Sequence, residues 1–326
     1  MVSSIEKAVE RLNKARVTEE VGEKEPTITT LAEDSAKSTL VAEGVGIGVD
    51  GKDESGGYAE EASYFSEVGA DDDPLAASQS ELVEKEPFTI DFEGKEHLGY
   101  LTPNSDNQVV WEEYRVIKRP LLINAFGKGA APVERGNIIL VTSSVPGEGK
   151  TFTSFNLAMS IATELDSTIL MVDGDVLRSS LSKLVGAEDK PGLLDVLEDP
   201  DVELGDVILG TQIPKLKILP AGTRHKHSTE LLASDSMDKL IAELGERYPD
   251  RIVLIDAPPM LATTEASVLT MKVGQIVMVV EAGRTPVEAV NESIERIDAN
   301  KVLGLVLNKS RVKSGSQYYG GYYGSY

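Results

Sequence analysis

Cysteine is absent from the 326 residues of this chain. Disulfide bonds and thiol chemistry are therefore excluded, and this composition favours a cytosolic protein. No apolar run approaches the roughly 18 residues that a membrane-spanning helix requires. The first residues also lack a basic region followed by an apolar stretch, so we expect no signal peptide.

Positive charge is scarce as well. The chain carries 32 Lys and Arg residues against 54 Asp and Glu residues, which gives a formal net charge of −22 at pH 7. A protein with this charge repels the phosphate backbone, so we expect no nucleic acid partner. The length leaves room for one large domain or two small ones.

The acidic residues are concentrated near the start of the chain. Residues 1–86 contain 21 acidic and 8 basic side chains, a balance of 21 − 8 = 13 negative charges. Within them, residues 18–86 hold only scattered apolar side chains, too few to offset the entropy of ordering, and we interpret this segment as a disordered linker. Its run of Asp71, Asp72 and Asp73 is interpreted as a solvated charge run rather than a metal site.

A short amphipathic helix is predicted ahead of this linker, within residues 1–17. Ser3 and Glu6 have the spacing of a capping box. Apolar residues follow at i, i+4 and i+7, namely Ile5, Val9 and Leu12. An isolated helix of this length is marginal in water, so the segment either docks on another surface or frays.

A second helix is predicted at 111–119, near the start of a domain that we assign to residues 87–312. Glu112, Arg115 and Lys118 step by three and so line one face of this helix, which Pro120 is predicted to end. The face is either an ordinary charged surface or an ion-pair seam between subunits. In the second interpretation, Glu112 of one copy meets Arg115 or Lys118 of the next.

Beyond residue 133, apolar segments alternate with segments of helical periodicity. The apolar runs are continuous, which is typical of strands covered on both faces. We therefore predict an α/β fold with a doubly wound, mostly parallel sheet that binds ligands at the carboxyl ends of its strands. The predicted strands are 137–141, 168–173, 215–220, 251–256, 275–281 and 302–308. The predicted helices are 151–165, 228–246, 264–272 and 286–299.

A glycine-containing loop follows the first predicted strand, with the sequence Ser144-Val145-Pro146-Gly147-Glu148-Gly149-Lys150-Thr151. Gly147 and Gly149 permit backbone angles that a Cβ disfavours, so consecutive N–H groups can turn toward a phosphate. Lys150 places a cation where β- and γ-phosphates would lie, and Thr151 offers a hydroxyl to Mg²⁺ at a helix N-terminus. Ser144 replaces the first glycine of the usual pattern. The alternative is an ordinary strand–turn–helix connection.

Carboxylates end two further apolar strands. Asp173 and Asp175 follow the run 169–172 and, two residues apart in an extended chain, are predicted to point the same way. Asp256 ends the run 252–255 and precedes two prolines. Each acid alone could be a helix cap or turn former. Together with the glycine-containing loop, they indicate a site for Mg-ATP in which a carboxylate holds Mg²⁺ or orients an attacking hydroxyl.

Tyrosine is concentrated at the end of the chain. Five of its 10 tyrosines fall in the last nine positions, as Tyr318, Tyr319, Tyr322, Tyr323 and Tyr326. Gly and Ser residues between them disfavour regular structure, so we do not expect these rings to form a core. The segment 313–326 is either a low-complexity tail or a flexible set of phosphate acceptors.

Together, these features resemble the bacterial tyrosine autokinases of the polysaccharide-export group, in particular their exosortase-associated branch. The loop 144–151 resembles the first phosphate motif of that family, 172–175 the second and 254–259 the third. The Glu112-x-x-Arg115-x-x-Lys118 spacing is similar to an E-x-x-R-x-x-R oligomerisation motif, with Lys in the last place. The segment 227–234 resembles a helix start that usually reads N-P-S-E-L-L, and Asn308 matches a position that approaches the adenine.

The resemblance implies a P-loop nucleotide-binding domain of the deviant-Walker type and an ATP-dependent tyrosine kinase that uses Mg²⁺. Its implied catalytic residues are Lys150, Asp173, Asp175 and Asp256, with Asp173 or Asp175 as the base. Its implied nucleotide contacts are Ser144, Pro146, Gly147, Glu148, Gly149, Lys150, Thr151 and Asn308. Its implied metal-side residues are Thr151, Asp173 and Asp256.

The same resemblance implies autophosphorylation of the tyrosine cluster, by transfer between the subunits of a ring. It also implies a role in exopolysaccharide synthesis or export, an activator at the cytosolic end of a membrane polysaccharide co-polymerase, and a cytoplasmic location at the inner membrane through that partner. The alternative is a non-kinase ATPase switch, similar to the ATPases that position plasmids or division sites, whose nucleotide state controls docking to a membrane partner.

Overall fold

The computed structural model describes residues 86–129, 131–247 and 250–310. The predicted amphipathic helix, nearly all of the acidic linker and the tyrosine tail lie outside these residues. In the part that the structure describes, no helix is long and apolar enough to cross a membrane.

A seven-stranded sheet forms the centre of the domain and confirms the predicted α/β fold. Its strands are β1 (Ile138–Ser143), β2 (Thr168–Asp173), β3 (Leu209–Gly210), β4 (Leu216–Leu219), β5 (Arg251–Asp256), β6 (Gln275–Glu281) and β7 (Val302–Asn308). They lie in the order β3-β4-β2-β5-β1-β6-β7, and every pair is parallel except β3 with β4. The carboxyl ends of β1, β2 and β5 are therefore neighbours at one edge of the sheet.

Helices cover both faces of the sheet. They are α1 (Gln108–Ala125), α2 (Lys150–Ala162), α3 (Ser180–Val185), α4 (Leu193–Glu198), α5 (Leu204–Val207), α6 (Ser228–Ala233), α7 (Asp235–Glu246), α8 (Glu265–Lys272) and α9 (Val287–Glu295). Alternate residues of the central strands pack into two separate cores. Ile139 and Val141 of β1 join the core that contains Phe155 of α2. Ile138 and Leu140 join the core on the other face.

The predicted end of helix α1 at Pro120 is wrong, because the helix continues through this proline to Ala125. The proline cannot donate to the carbonyl of Val116, but Val116 is 44% exposed, so water can replace the missing donor. Leu121 is buried on the far side of the proline. The buried Gln275 donates to the Leu121 carbonyl over 3.0 Å and accepts from Asn124 over 3.0 Å. Tertiary contacts thus hold the last turns in place.

The other differences concern short elements. The predicted helix 228–246 is interrupted at Ser234, whose hydroxyl oxygen accepts from the Met237 N–H and so caps α7. Strand β3 and helices α3, α4 and α5 were not predicted. Each spans at most six residues, which is too few for a periodic pattern to be recognised.

Candidate active site

The glycine-containing loop connects strand β1, which ends at Ser143, to helix α2, which begins at Lys150. Gly147 and Gly149 adopt left-handed backbone angles, with φ of 91° and 99°. A Cβ is strongly disfavoured there, so the two glycines are what allow the loop to fold closely over the start of α2. The first position of the loop, Ser144, is fully buried, and the following Pro146 is exposed.

Three strand ends bring the basic and acidic groups of this site together. The Lys150 ammonium forms an ion pair with Asp175, with Nζ 2.8 Å from Oδ2. The Thr151 hydroxyl donates to Asp256 Oδ2 over 2.7 Å, and the Ser154 hydroxyl lies 3.0 Å from the other oxygen of the same carboxylate. All three carboxylates of the site are at least 98% buried.

Asp173 and Asp175 have different partners, although the sequence predicted that both point the same way. The extended backbone of β2 ends at Asp173, so the strand alternation does not reach Asp175. Asp173 Oδ2 accepts from the backbone N–H and the hydroxyl of Ser182, over 2.8 and 2.7 Å. Its Oδ1 accepts from the Asp175 N–H over 3.2 Å. Asp173 is also the direct register partner of Asp256 in the parallel pair of β2 and β5.

These buried charges alter one another's protonation. Burial, followed by repulsion from Asp256, raises the pKa of Asp173 to about 7. Burial also raises the pKa of Asp256, against the opposing effects of Lys150 and the hydroxyls of Thr151 and Ser154. Burial acts to lower the pKa of Lys150, but the surrounding carboxylates, with Asp256 first, outweigh it and the pKa is raised. Lys150 is therefore a firmly protonated cation in an acidic cluster.

The end of strand β7 supports the phosphate loop from outside. Asn308 Nδ2 donates to the Glu148 carbonyl over 2.8 Å, and Lys309 Nζ donates to the Gly147 carbonyl over 2.6 Å. Lys309 also pairs with Glu281 at 3.1 Å. Because these bonds engage loop carbonyls, they favour a loop conformation in which N–H groups are left for an anion.

The side chain of Glu148 is buried under the same loop and braces it from inside. Its Oε2 accepts from the Val145 N–H over 2.7 Å, while its Oε1 accepts from the Thr285 hydroxyl and, over 3.3 Å, from the Glu281 N–H. Glu148 was predicted to contact the nucleotide. In the structure its buried carboxylate instead forms hydrogen bonds that stabilise the loop, and only its backbone is left to contact a ligand. Its side chain does not point freely into the site.

The segment after Asp256 also holds the phosphate loop. The Met260 and Leu261 N–H groups donate to the carbonyls of Ser143 and Ser144, over 2.8 and 3.1 Å. Thr142 donates to the Pro258 carbonyl over 2.7 Å. These hydrogen bonds hold the segment after Asp256, including its two prolines, against the end of β1. They therefore fix the position of Asp256 beside Thr151.

Sequence reasoning missed several side chains of this region, namely Ser154, Ser182, Glu281, Thr285 and Lys309. Ser154 lies one turn after Lys150 on the same helix, so its spacing could have indicated the contact with Asp256. The other four come from segments that are far apart in the sequence. No local pattern identifies them.

Helix α1 places the three predicted oligomerisation residues in two environments. Glu112 and Arg115 are exposed and pair with each other at 2.8 Å. Lys118, in contrast, is only 6% exposed. It donates to the Ser160 carbonyl over 2.6 Å and pairs with Glu164 at 2.6 Å, both at the end of α2. The three residues border one groove, as their spacing predicts, but only Glu112 and Arg115 are exposed, because Lys118 turns inward to cap α2.

The oxygen groups at the start of α2 fit a magnesium ion. Mg²⁺ is usually held by one or two carboxylates together with substrate phosphates and water, rather than by a cage of protein ligands. Thr151 Oγ1 and the Asp256 carboxylate supply two such oxygen donors 2.7 Å apart. No cluster of three or more His, Cys, Asp or Glu residues suited to a metal occurs within 86–129, 131–247 and 250–310.

A family model, curated relatives and solved structures all match the part of the chain that contains this site. A family model described as an AAA domain (AAA_31) matches residues 136–303, about half of the chain. Tyrosine-protein kinase CpsD of Streptococcus agalactiae is 31% identical over 179 residues, which cover 54% of this chain and 76% of CpsD. The kinase domain of the Escherichia coli tyrosine kinase ETK is 27% identical, with a TM-score of 0.52 over 62% of this chain and 78% of that one.

Other relatives are much longer than this chain. The putative tyrosine-protein kinase EpsB of Ralstonia nicotianae is 34% identical over 192 residues, which are 58% of this chain and 25% of EpsB. The chain thus spans about a quarter of the length of such relatives. With the matched family model and the relation to CpsD, these findings confirm the resemblance: the chain belongs to the AAA-domain family and, within it, to the bacterial tyrosine-protein kinases.

Proposed function

We propose that this chain is an ATP-dependent protein tyrosine kinase that phosphorylates the tyrosine cluster at its own C-terminus. One observation carries the proposal: Lys150, Thr151, Asp175 and Asp256 meet at the carboxyl ends of three neighbouring strands. This is the edge at which a parallel α/β sheet binds its ligands.

Lys150 and the loop N–H groups bind the triphosphate in this proposal. In the structure the Lys150 ammonium is paired with Asp175. An incoming β- or γ-phosphate exchanges for that carboxylate, which frees Asp175 to face the transferred group. Thr151 and Asp256 would hold Mg²⁺, which when bound would supply neutralisation of the phosphate charge. Most of the rate enhancement then comes from positioning and charge neutralisation rather than from covalent chemistry.

The transfer forms a bond between a tyrosine oxygen and the γ-phosphorus and breaks the bond from that phosphorus to the β–γ bridging oxygen. ADP leaves, and the phenolic proton passes to a carboxylate. Asp173 and Asp175 are the candidates for this base. Asp173 has a pKa of about 7, which suits proton uptake near neutral pH, but both of its oxygens already accept hydrogen bonds. Asp175 becomes available once Lys150 binds phosphate.

The wider function follows by analogy with the family. Relatives such as CpsD and EpsB are named tyrosine-protein kinases. In this proposal the chain assembles into a ring and is activated by the cytosolic end of a membrane polysaccharide co-polymerase. It would then act at the cytoplasmic face of the inner membrane in exopolysaccharide synthesis or export.

Mass spectrometry of the C-terminal peptide tests the proposal directly. We expect the full chain, incubated with Mg-ATP, to gain phosphate on the residues Tyr318, Tyr319, Tyr322, Tyr323 and Tyr326, and a Lys150→Met chain to gain none. Release of free phosphate without tyrosine modification would instead support the ATPase switch. Nucleotide binding with neither outcome would indicate a scaffold.

A further inference from the structure

Two consecutive residues at the end of strand β7 hold two consecutive carbonyls of the glycine-containing loop. Asn308 Nδ2 lies 2.8 Å from the Glu148 carbonyl oxygen, and Lys309 Nζ lies 2.6 Å from the Gly147 carbonyl oxygen. The approach is close, because a Cβ added at Gly149 would collide with the Asn308 amide. The loop is therefore oriented by a strand end that lies 160 residues away in the sequence.

The pairing of the strands fixes the position of Asn308. Its carbonyl oxygen accepts from the Ala282 N–H over 2.9 Å, so the contact with the chain of β6 continues to the last residue of β7. Its side-chain oxygen accepts from the Lys309 N–H over 2.8 Å. Both ends of the Asn308 amide therefore have partners within the protein, one on the loop and one on the next residue.

The backbone of Lys309 is held in an unusual conformation. Its φ of 57° lies in the left-handed region, which is uncommon for a residue with a Cβ. Its ammonium donates to the Gly147 carbonyl and also pairs with Glu281 at 3.1 Å. The hydrogen bond from Lys309 lowers the pKa of the Glu281 carboxyl, so this pair is ionised at neutral pH. A side chain held at two points on a disfavoured backbone indicates a functional constraint.

The planar geometry of the peptide bond converts these contacts into N–H directions. In a trans peptide, the carbonyl of one residue and the N–H of the next point in opposite directions. Lys309 draws the Gly147 carbonyl toward β7 and so turns the Glu148 N–H away from that strand. Asn308 acts in the same way on the Glu148 carbonyl and the Gly149 N–H. The side away from β7 is the side of β2 and β5, whose ends carry the acidic groups of the site.

We propose that Asn308 and Lys309 are positioning residues, which aim the N–H groups of Glu148 and Gly149 at a bound phosphate. The inference rests on the proposed function in that the loop must bind phosphate, but it does not require transfer to a tyrosine. In this role Asn308 acts through the loop, whereas the family resemblance placed it near the adenine. Lys309 contributes as well, although no sequence motif identified it.

The first of these peptides needs an outside donor because of its glycine. Gly147 is exposed, and a Cβ there would meet nothing within 4 Å, so the space beside it is open. Without a side chain, its backbone can also adopt several other conformations. If the peptide rotated, a carbonyl oxygen would face the phosphate and repel it. Lys309 therefore reduces the reorganisation that binding would otherwise require.

Binding of pyrophosphate, which has no base, tests this role without any transfer reaction. In the full-length chain, we expect Lys309→Met to weaken the binding of Mg-pyrophosphate and of Mg-ADP by the same factor, at least about tenfold. Lys309→Arg keeps a cationic donor and should restore both affinities to within about threefold of the unsubstituted chain. Calorimetric titration measures each affinity.

Arg284→Met is the matched control for the loss of one positive charge. Arg284 pairs with the same Glu281, at 3.4 Å, but within the described residues it donates to no carbonyl of the loop. Its replacement should change either affinity by less than about threefold. Equal losses in Arg284→Met and Lys309→Met would show a general effect of charge and overturn the proposal. Because both side chains are exposed, the melting temperatures of the free variants should change little.

Asn308→Leu separates orientation of the loop from contact with the base. It removes the amide at similar size and without a change in charge, and we expect equal losses for Mg-ADP and Mg-pyrophosphate. A loss with Mg-ADP alone, in either the Asn308 or the Lys309 variant, would place the effect at the adenine and overturn the proposal. Unchanged pyrophosphate affinity in both variants would overturn it as well. Failure of tyrosine phosphorylation, in contrast, would refute the proposed kinase without altering these affinities.

Discussion

Few of the charged side chains in this site act alone. Lys150 is held by Asp175, Thr151 by Asp256, and Asp173 by Ser182. In the absence of a nucleotide, these groups satisfy one another and so make the burial of three carboxylates tolerable. The proposed binding of a triphosphate and its metal would therefore replace hydrogen bonds and ion pairs that already exist in the site.

The buried carboxyl of Asp173 should make the metal-free protein less stable at high pH. Its pKa is about 7 when folded, against an ordinary value of 3.8. Between pH 3.8 and pH 7 the folded state keeps a proton on Asp173 that the unfolded state releases, so the free energy of unfolding falls as the pH rises. Above pH 7 the destabilisation is complete, because Asp173 is then ionised in both states. We expect Asp173→Asn to raise the free energy of unfolding at pH 8 by up to about 4 kcal/mol, since each pKa unit corresponds to about 1.4 kcal/mol.

Thermal unfolding in a chelator, from pH 5 to pH 8, measures this effect. The gain from Asp173→Asn should shrink steadily as the pH falls toward 5. Asp166→Asn, at an exposed aspartate, controls for the loss of one negative charge. If Asp173→Asn stabilised the protein equally at all pH values, ionisation of Asp173 would not be the cause.

The two loop glycines should differ in their tolerance of a methyl group. A Cβ at Gly149 would lie 2.1 Å from Asn308 Nδ2, whereas a Cβ at Gly147 would meet nothing within 4 Å. Both carry the cost of a left-handed backbone, on the order of 1 kcal/mol. We expect Gly149→Ala to weaken ATP binding at least about tenfold more than Gly147→Ala, since it also displaces Asn308. Calorimetric titration with ATP compares the two, and equal affinities would show that the contact with Asn308 is unimportant.

Helix α2 connects the glycine-containing loop to helix α1, the helix proposed to mediate assembly. It begins at Lys150 in the site, and its last turn is capped by Lys118 of α1. A cation at a helix C-terminus interacts favourably with the helix dipole. The sequence predicted both helices but not the contact of Lys118 with α2, because the i, i+3, i+6 spacing does not show which neighbour a helix packs against.

Removal of the Lys118 charge should loosen the contact between α1 and α2. Lys118→Met removes one donor from the Ser160 carbonyl, which keeps the Thr163 hydroxyl at 2.7 Å, and leaves Glu164 without its partner. Because Glu164 is partly exposed, we expect a loss of only about 1–2 kcal/mol in the free energy of unfolding. Chemical denaturation measures it. Arg119→Met, the exposed neighbour, is the control and should change stability by less than about 0.5 kcal/mol.

At the scale of the whole chain, the distribution of charge and the length of the tail bear on assembly and on phosphate transfer. The acidic segment before the domain carries 13 of the 22 net negative charges. The tyrosine tail begins close to Lys309, whose side chain contacts the phosphate loop. From Ser310 to Tyr323 the chain spans up to about 45 Å when extended, so the tail can reach its own site or that of a neighbour.

Mixed subunits distinguish these two routes. A Lys150→Met chain keeps its tail but lacks the phosphate-binding cation, while a chain truncated before residue 313 keeps its site but lacks the acceptors. We expect phosphate on the tail of the Lys150→Met chain when the two are mixed with Mg-ATP, because the proposed ring would bring neighbouring sites within reach. An unmodified tail would show that transfer stays within one chain.

Phosphorylation should also weaken assembly. Each phosphotyrosine adds about 1.5 to 2 negative charges at neutral pH, and the tail offers five acceptors on a chain that is already strongly anionic. Repulsion between neighbouring tails should therefore shift the protein toward smaller species. Light scattering coupled to size exclusion, before and after Mg-ATP treatment, measures the mass. An unchanged mass in fully phosphorylated protein would exclude this mechanism.

The sequence by itself determined the main parts of the fold and site. Continuous apolar runs identified six of the strands, four of them with the observed bounds, because strands buried on both faces need such runs. The motifs around Lys150, Asp173 and Asp256 identified three strand ends, since parallel strands place these ends at one edge.

Only the tertiary structure decided how those residues are paired. Which aspartate meets Lys150 depends on where β2 ends, and the contacts of Lys118 and Gln275 depend on which segments pack together. Pro120 shows the same limit, because contacts from β6 keep the helix intact beyond a residue that usually ends one. Local patterns record the preference of a segment, while burial and long-range hydrogen bonds, often more than 100 residues apart, select the final partners.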